Sequence, residues 1–384
     1  MSQTVGLYLH IPFCRGKCAY CGFYSLPGRS EAVWDEYVRT LRKHIRETAP
    51  AAAKLTADTV FFGGGTPSLL GAKRLRILLD TVGKAFRLSK SAEITLEGNP
   101  DSLCVKELKL LRQAGFNRLS IGVQSFDDDM LRILGRPHRA ADAIDAVGAA
   151  REAGFDNLSI DLLFGLPGQS VAHWSDTLNA GLACKPEHIS CYGLTPEEDA
   201  PLFQGGHHPP NEDIQADMYL HTAEALGKAG YAHYEISNYC LPGRECRHNL
   251  KYWTLQPYLG LGPAAHSDFG GRRWSYISDL ERYIAGVKKA DALTETNEAI
   301  PMKERAGEYL MLRLRTSLGV SGNEYAQLFR ASFDAAERRL ERLCARGLAV
   351  RDGDRWHLTE QGFLLSNRII GEVLQLTSNT TANT

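Results

Sequence analysis

The sequence predicts an α/β protein: a partial (β/α) barrel over residues 1–240, followed by a small helical, winged-helix-like unit near the C-terminus. Three observations lead there. Through the first 240 residues, short β-rich apolar segments alternate with longer helical ones, the pattern of βαβ units and a mostly parallel sheet. Ala114-Gly115-Phe116-Asn117-Arg118-Leu119-Ser120-Ile121 returns 39 residues later as Ala153-Gly154-Phe155-Asp156-Asn157-Leu158-Ser159-Ile160, a period of one βα unit. After about Pro257 the alternation stops and short helical segments lead into an Asp-Gly turn.

The strands are expected at Leu7–His10, Val60–Phe62, Ile94–Glu97, Leu119–Val123, Leu158–Leu163, Ile189–Leu194 and Tyr234–Ile236. Helices are expected at Ala32–Glu47, Ala72–Phe86, Leu103–Ala114, Ala140–Ala153 and Glu212–Ala229. In both copies of the repeat, and in the weaker copy Ala229-Gly230-Tyr231, a glycine sits where the helix must stop, a position that calls for positive φ. Residues 241–300 read as a connecting segment. Within 301–376, Glu304–Thr316, Gly322–Gln327 and Asp334–Arg346 read as helices. Leu348–Arg351 and Trp356–Leu358 flank Asp352-Gly353-Asp354 as a hairpin. The tail, 377–384, is polar and expected to fray.

Composition narrows the function classes. The 384 residues carry 44 Lys+Arg against 45 Asp+Glu, a net charge of -1, with 43% apolar content. That balance disfavours wholesale binding to nucleic acid or anionic membrane, so the winged-helix-like unit is expected to be a scaffold and no nucleic-acid partner is expected. No run approaches the ~18 apolar residues of a membrane span, and Met1 to Phe13 lacks the basic and apolar regions of a signal peptide. A cytoplasmic protein is expected. The nine cysteines fit poorly with a closed disulfide set. Three of them crowd into one loop, which points to thiolate ligation in a reducing compartment.

That loop is Cys14-Arg15-Gly16-Lys17-Cys18-Ala19-Tyr20-Cys21, at the end of the first strand. Three thiolates at C-x3-C-x2-C spacing can wrap one compact centre: an iron–sulfur cubane with one iron left open, or a zinc completed by His10 or His44. The second strand ends in Gly63-Gly64-Gly65-Thr66-Pro67, where the missing Cβ atoms let a ligand reach the backbone. The third ends in Glu97-Gly98-Asn99-Pro100, the fourth in Gln124-Ser125, and the fifth carries Asp161. In a parallel barrel these carboxyl ends share one mouth, where sites are built.

The cysteine spacing, the aromatic Tyr20 before its last member and the Gly-Gly-Gly-Thr-Pro loop together resemble the radical S-adenosylmethionine (SAM) superfamily. The resemblance implies a 4Fe-4S cluster on Cys14, Cys18 and Cys21 whose open iron holds SAM, and a 5′-deoxyadenosyl radical made by reductive cleavage of SAM. More narrowly, nearly the whole chain resembles the branch that holds oxygen-independent coproporphyrinogen III oxidases and the HemW heme chaperones. Carried over by motif, Tyr8 and the Tyr20 backbone would lie against SAM, and Gly64 and Glu97 would hold its amino and ribose ends. Gly65, Thr66, Gln124, Arg136 and Asp161 match positions where the oxidase contacts a second SAM. No catalytic side chain is assigned.

Two features separate oxidase from chaperone. The oxidases carry a further cysteine two residues after the third ligand, where this chain has Phe23, and a longer segment before the first strand, where it has Met1–Gly6. The chain also contains His248-Asn249-Leu250-Lys251-Tyr252-Trp253, the His-Asn-x-x-Tyr-Trp sequence associated in this branch with heme binding. Pro242 and Gly243 suggest an accessible loop there. His248 would ligate heme iron and Tyr252 and Trp253 would flank the porphyrin, with Cys246 and His266 as further ligand candidates. The competing reading makes His248 a hydrogen-bonded structural histidine. The resemblance therefore implies a heme chaperone that delivers heme to acceptors, respiratory and membrane-bound, and that takes electrons from a donor. The alternatives are a coproporphyrinogen III oxidase and a radical SAM enzyme acting on RNA.

Overall fold

The structure is a computed structural model that describes residues 4–195, 200–289 and 293–380. It begins with β1 (Thr4–Ile11) and a two-residue pair, β2 (Phe13–Cys14) and β3 (Leu26–Pro27). Then come α1 (Glu31–Thr48), β4 (Thr56–Gly64), α2 (Gly71–Ala85), β5 (Leu88–Gly98), α3 (Val105–Ala114) and β6 (Arg118–Gln124). After α4 (Asp128–Ile133) and α5 (Ala140–Glu152) follow β7 (Leu158–Phe164), α6 (Val171–Ala183) and β8 (His188–Gly193). α7 (Pro201–Gln204) and α8 (Glu212–Lys228) lead to the hairpin β9 (Ala232–Glu235) and β10 (Asn238–Cys240).

One sheet carries the fold: β14 (Thr294–Ala299), β13 (Arg272–Tyr276), β12 (His266–Phe269) and β11 (Tyr258–Leu261) lie in that order beside β1, followed by β4-β5-β6-β7-β8-β10-β9. Its centre, from β11 to β8, is parallel. The two copies of the sequence repeat pair side by side, Leu119 with Leu158, Ser120 with Ser159 and Ile121 with Ile160. The glycines that end the preceding helices, Gly115, Gly154 and Gly230, all have positive φ (115°, 89° and 86°), the conformation that other residues resist.

The strands bury both faces, but with different chemistry. Val5, Leu7, Leu9 and Ile11 of β1 are fully buried in one apolar cluster with Tyr37, Leu41 and Ile45 of α1. Their alternates, Gly6, Tyr8 and His10, fall on the opposite face. Register stacks that inner face in layers. Gly6 pairs with Thr59, Tyr8 with Phe61 and His10 with Gly63. Thr59 in turn pairs with Glu93 and Phe61 with Thr95, then Thr95 with Arg118 and Glu97 with Ser120. The barrel interior is therefore polar at the amino end, aromatic midway, and open at the carboxyl end.

The structure departs from the sequence reading in four places. The helices α4, α6 and α7 are additions to the set expected for the barrel. The segment expected as a last barrel strand is a hairpin, because Ser237 turns the chain back so that β10 runs antiparallel to β8. The stretch after Cys240 is more than a connection. It supplies α9 (Arg247–Trp253), then β11 beside β1, then the antiparallel run β12 (His266–Phe269), β13 (Arg272–Tyr276) and β14 (Thr294–Ala299), with α10 (Leu280–Lys289) against α1. The polar tail continues a helix as far as Thr380, and residues 381–384 lie outside the described residues.

The C-terminal unit has its own core, with Leu310, Leu314, Leu340, Leu343 and Trp356 buried together. Its elements are α11 (Met302–Arg313), β15 (Val320–Ser321), α12 (Gly322–Phe329), α13 (Asp334–Cys344), β16 (Ala349–Asp352), β17 (Arg355–Leu358), α14 (Glu360–Leu364) and α15 (Ser366–Thr380). β16 and β17 form the expected wing-like hairpin, with Asp352 opposite Arg355 and Gly353 at positive φ. Among the described residues no helix is long and apolar enough to cross a membrane.

Candidate cofactor and cluster site

The carboxyl ends of the parallel strands surround a cavity of about 500 Å³. Cys14, Cys18, Tyr20, Cys21, Gly64, Gly65, Thr66, Glu97, Gln124, Arg136 and Asp161 all line it. Residues from five separate strand ends thus meet in one place. Tyr8 does not line it. It stands behind Gly63, where an added Cβ would meet Tyr8 Cε2 and Glu97 Oε2 at 3.0 Å and Phe61 Cε1 at 2.9 Å.

The cysteine loop is tied at both ends. β2 and β3 pair in parallel, Phe13 with Leu26 and Cys14 with Pro27. The Leu26 N–H donates to the Pro12 carbonyl at 2.6 Å and the Ala19 N–H to the Leu134 carbonyl at 3.0 Å. Gly65 packs so tightly beneath the loop that a Cβ would lie 2.6 Å from the Phe13 carbonyl and 3.0 Å from Cys14 Sγ. Gly64 has φ +117° and faces the His10 ring, whose Cε1 a Cβ would meet at 2.8 Å. At Gly64 and Gly65 the close approach is made by the chain's own His10 ring and Phe13 carbonyl.

All three cysteines are free and half-buried. Burial raises the Cys14 and Cys21 thiols, which coordination to iron would overcome, since a bound thiol is deprotonated outright. Among the described residues no three His, Cys, Asp or Glu side chains converge as one metal ion requires. A tetrahedral zinc with Zn–S near ~2.3 Å would draw its sulfurs to ~3.8 Å of one another. Three thiols on one loop are a donor set that fits an iron–sulfur cubane with one iron left open. Nor can His10 or His44 serve as a spare ligand. His10 Nδ1 and Nε2 lie 3.1 Å from Tyr8 OH and from the Tyr24 carbonyl, and His44 is buried with Nδ1 2.7 Å from Tyr283 OH.

The acidic residues are buried and set apart in character. Burial and the nearby Asp161 push the Glu97 carboxyl up to about 8, against the Gly64 N–H that donates to it. Asp161 is raised by burial, while Ser190 and Ser120, at 2.7 Å and 3.1 Å, donate to it and favour its charge. An incoming ammonium would meet two carboxyls whose charge it can restore. Gln124, at the end of β6, has φ 69°, a left-handed conformation rare for a residue with a side chain.

Three contributors carry little signal in the sequence. Asn99 Nδ2 donates to Thr66 Oγ1 at 3.0 Å and its Oδ1 accepts from Arg136 at 2.8 Å. Ser120 shows in the sequence only as a member of the internal repeat, and its register with Glu97 is what brings it to the site. Tyr192 closes the far side of the cavity; its place on β8 is its only signal.

The His-Asn-x-x-Tyr-Trp segment lies at the opposite end. It is no accessible loop: it forms the helix α9, which plugs the amino end of the barrel. Glu93 caps it, its carboxylate accepting the Arg247 N–H at 3.1 Å and the His248 N–H at 3.0 Å. His248 is 1% exposed. Its Nδ1 lies 2.8 Å from Thr59 Oγ1 and its Nε2 2.8 Å from Tyr252 OH. Burial, with Lys251 and Arg118 nearby, lowers the imidazole to about 3, so it is neutral. Cys246 is also fully buried, and Trp253 and Tyr252 are half-buried. His266 is exposed. It opens β12, the strand that pairs antiparallel with β11.

Residues 8–180 match the radical SAM superfamily and residues 300–365 the HemN C-terminal domain. The chain is 36% identical over 374 residues to the heme chaperone HemW of Bacillus subtilis, covering 96% of this chain and 98% of that protein. To the heme chaperone HemW of Escherichia coli K12 it is 33% identical over 369 residues, covering 95% and 97%. The solved coproporphyrinogen III oxidase (HemN) from Escherichia coli, a radical SAM enzyme, superposes with a TM-score of 0.85 at 24% identity, over 98% of this chain and 90% of that one. That likeness is one of fold.

Proposed function

The chain belongs to the HemW family within the radical SAM superfamily, and from that premise we propose that it is a heme chaperone with a 4Fe-4S cluster and SAM. The observation that carries this reading is the single cavity in which Cys14, Cys18 and Cys21 stand beside the glycine run and the two buried carboxyls. When bound, the cluster and SAM would supply one-electron chemistry; the chain's own part is to bind, orient and exclude water. Cys14, Cys18 and Cys21 would ligate three irons. Gly64 and Gly65 would let SAM approach the backbone, Glu97 and Asp161 would face its cationic end and ribose, and Arg136, Thr66 and Gln124 would close the side. Tyr20 would bear on SAM from the cysteine loop.

For heme, the buried and doubly hydrogen-bonded His248 weighs against iron ligation in this conformation. α9 would first have to leave the barrel floor, exposing Tyr252 and Trp253 with it. His266 offers an imidazole that iron can reach without rearrangement. The acceptors are taken to be heme-requiring respiratory proteins, met from the cytoplasm, with a separate electron donor for the cluster.

Anaerobic reconstitution followed by two separate assays tests the reading. Heme should pass to an apo-acceptor, and coproporphyrinogen III should not be converted, since Phe23 stands where the oxidases place a further cysteine. Sustained conversion to protoporphyrinogen would overturn the chaperone reading in favour of the oxidase.

A further inference from the structure

We propose that His248 is a positioning residue for the cofactor cavity, acting through Phe61 and Tyr8 on Gly63 and Glu97. The proposal rests on the reading of that cavity as the SAM site. It does not require His248 to touch SAM, cluster or heme.

The layered register provides the path. His248 occupies the floor layer, hydrogen-bonded to Thr59 and packed against Gly6, where a Cβ would meet its Cε1 at 3.2 Å. Its ring stacks on Phe61 with centroids 5.2 Å apart and an interplanar angle of 26°. Phe61 in turn stacks on Tyr8 at 6.1 Å and 28°. One layer higher, both rings press on Gly63 from the side that Glu97 Oε2 also occupies. Glu97 then accepts the Gly64 N–H at 3.2 Å, and Tyr8 OH donates to His10, the ring that lies under Gly64. Floor and mouth are thus joined by direct contacts, with no loose segment between them.

What holds the column is the pair of hydrogen bonds at its foot. Thr59 and Tyr252 grip the imidazole from both sides, and α9 is itself anchored by Glu93. Packed interiors transmit such displacements because they are dense and have few voids. Removing the ring leaves Phe61 without its neighbour and two buried hydroxyls without partners, so Phe61 and Tyr8 can settle toward the floor. Gly63 and Glu97 then lose the wall that fixes them. By reciprocity, SAM in the cavity should hold α9 closed, and any ligand that draws His248 outward should loosen SAM.

The test uses the iron-loaded full chain without heme. SAM affinity is measured for wild type, His248→Ala, His248→Gln and Phe61→Leu, together with iron content and melting temperature. His248→Ala should weaken SAM about tenfold, the ordinary size of coupling between two sites, with iron content unchanged. His248→Gln, whose amide can still bond Thr59 and Tyr252, should recover most of the loss, and Phe61→Leu should reproduce it. A second readout needs no SAM. The infrared carbonyl band of protonated Glu97, identified by its loss in Glu97→Gln, should titrate at about 8 in wild type and fall by about one pH unit in His248→Ala. A His248→Ala protein that melts lower yet binds SAM as wild type does, with the Glu97 band unmoved, overturns the proposal. Wild type that fails to bind SAM refutes the cavity reading alone, and the Glu97 band still decides the role of His248.

Discussion

Arg136 reaches across the cavity to Cys18, its Nη1 donating to Sγ at 3.3 Å. The same guanidinium donates from Nη2 to Asn99 Oδ1 at 2.8 Å and to the Gly122 carbonyl at 2.6 Å. Asn99 continues to Thr66, and Thr66 Oγ1 lies 3.5 Å from Cys14 Sγ. One chain of polar contacts therefore links two of the three cysteines through the ends of β4, β5 and β6. Those contacts tie Cys14 and Cys18 to the strand ends that surround the cavity.

Arg136→Met should leave the fold intact but loosen the cluster. The substitution removes charge-assisted hydrogen bonds, each of ~1.5–3 kcal/mol, and takes the Arg136 donor away from Asn99 Oδ1 and the Gly122 carbonyl. Iron should be stripped by a chelator at least about tenfold faster, following from ~1.4 kcal/mol per factor of ten. Fading of the brown chromophore measures it. Equal rates for variant and wild type would mean that the three cysteines hold the loop unaided.

Gly65→Ala should cost both stability and iron. The new Cβ would meet backbone, the Phe13 carbonyl at 2.6 Å, which has no rotamer to escape by. Overpacking of this kind costs ~1–3 kcal/mol. Gly16 is the control, since a Cβ there meets nothing within 4 Å. Melting temperature and iron per chain should both fall for Gly65→Ala and stay at wild-type values for Gly16→Ala.

Glu97 makes a pH-dependent contribution whose sign is set by its raised carboxyl. Its value in the fold, about 8, lies above the ordinary 4.5, so the native state keeps a proton that the unfolded chain gives up. The contribution is complete below 4.5 and is lost as pH rises through 8, at about 1.4 kcal/mol for each pH unit between the two values. Glu97→Gln stays neutral and can still accept the Gly64 N–H. Without cofactor, the variant should equal wild type at about pH 4 and become progressively more stable than it between about pH 5 and 8. Denaturant midpoints across that range test this, and parallel curves would contradict it.

Much of this is legible in the sequence, for definable reasons. Each barrel strand stands out because its outward residues, such as Leu7 and Leu9 or Ile160 and Leu162, are apolar in alternation and pack on helices. The site stands out because glycines and acids at strand ends have no structural use that explains so many at once. The polar interior hides the rest. α9 has only seven residues, follows Pro242 and Gly243, and contains His, Asn and Lys, so nothing local announces a buried helix. Its burial follows from Glu93, Thr59 and Asp58, which come from β5 and β4 and meet it only in three dimensions. Asn99 lies inside a strand-end motif, yet its partners Thr66 and Arg136 are 33 and 37 residues away.

The heme ligand offers the last prediction. Heme added to the reconstituted protein should show a Soret band that His266→Ala alters and His248→Ala does not. The reason is access. A neutral imidazole ligates iron through a free nitrogen lone pair, and His248 has both nitrogens engaged and 1% of its surface exposed. To free Nε2 would break the Tyr252 bond and open the α9 plug, together with the Lys251–Asp58 pair at 2.8 Å beneath it. His266 is exposed on the strand next to β11, so its imidazole is open to iron without any rearrangement of the fold. The two histidines therefore predict opposite spectra. If His248→Ala changed the band while His266→Ala did not, heme capture would have to begin with unplugging the barrel floor. In that case added SAM, by holding α9 closed, should slow the rate at which the band appears.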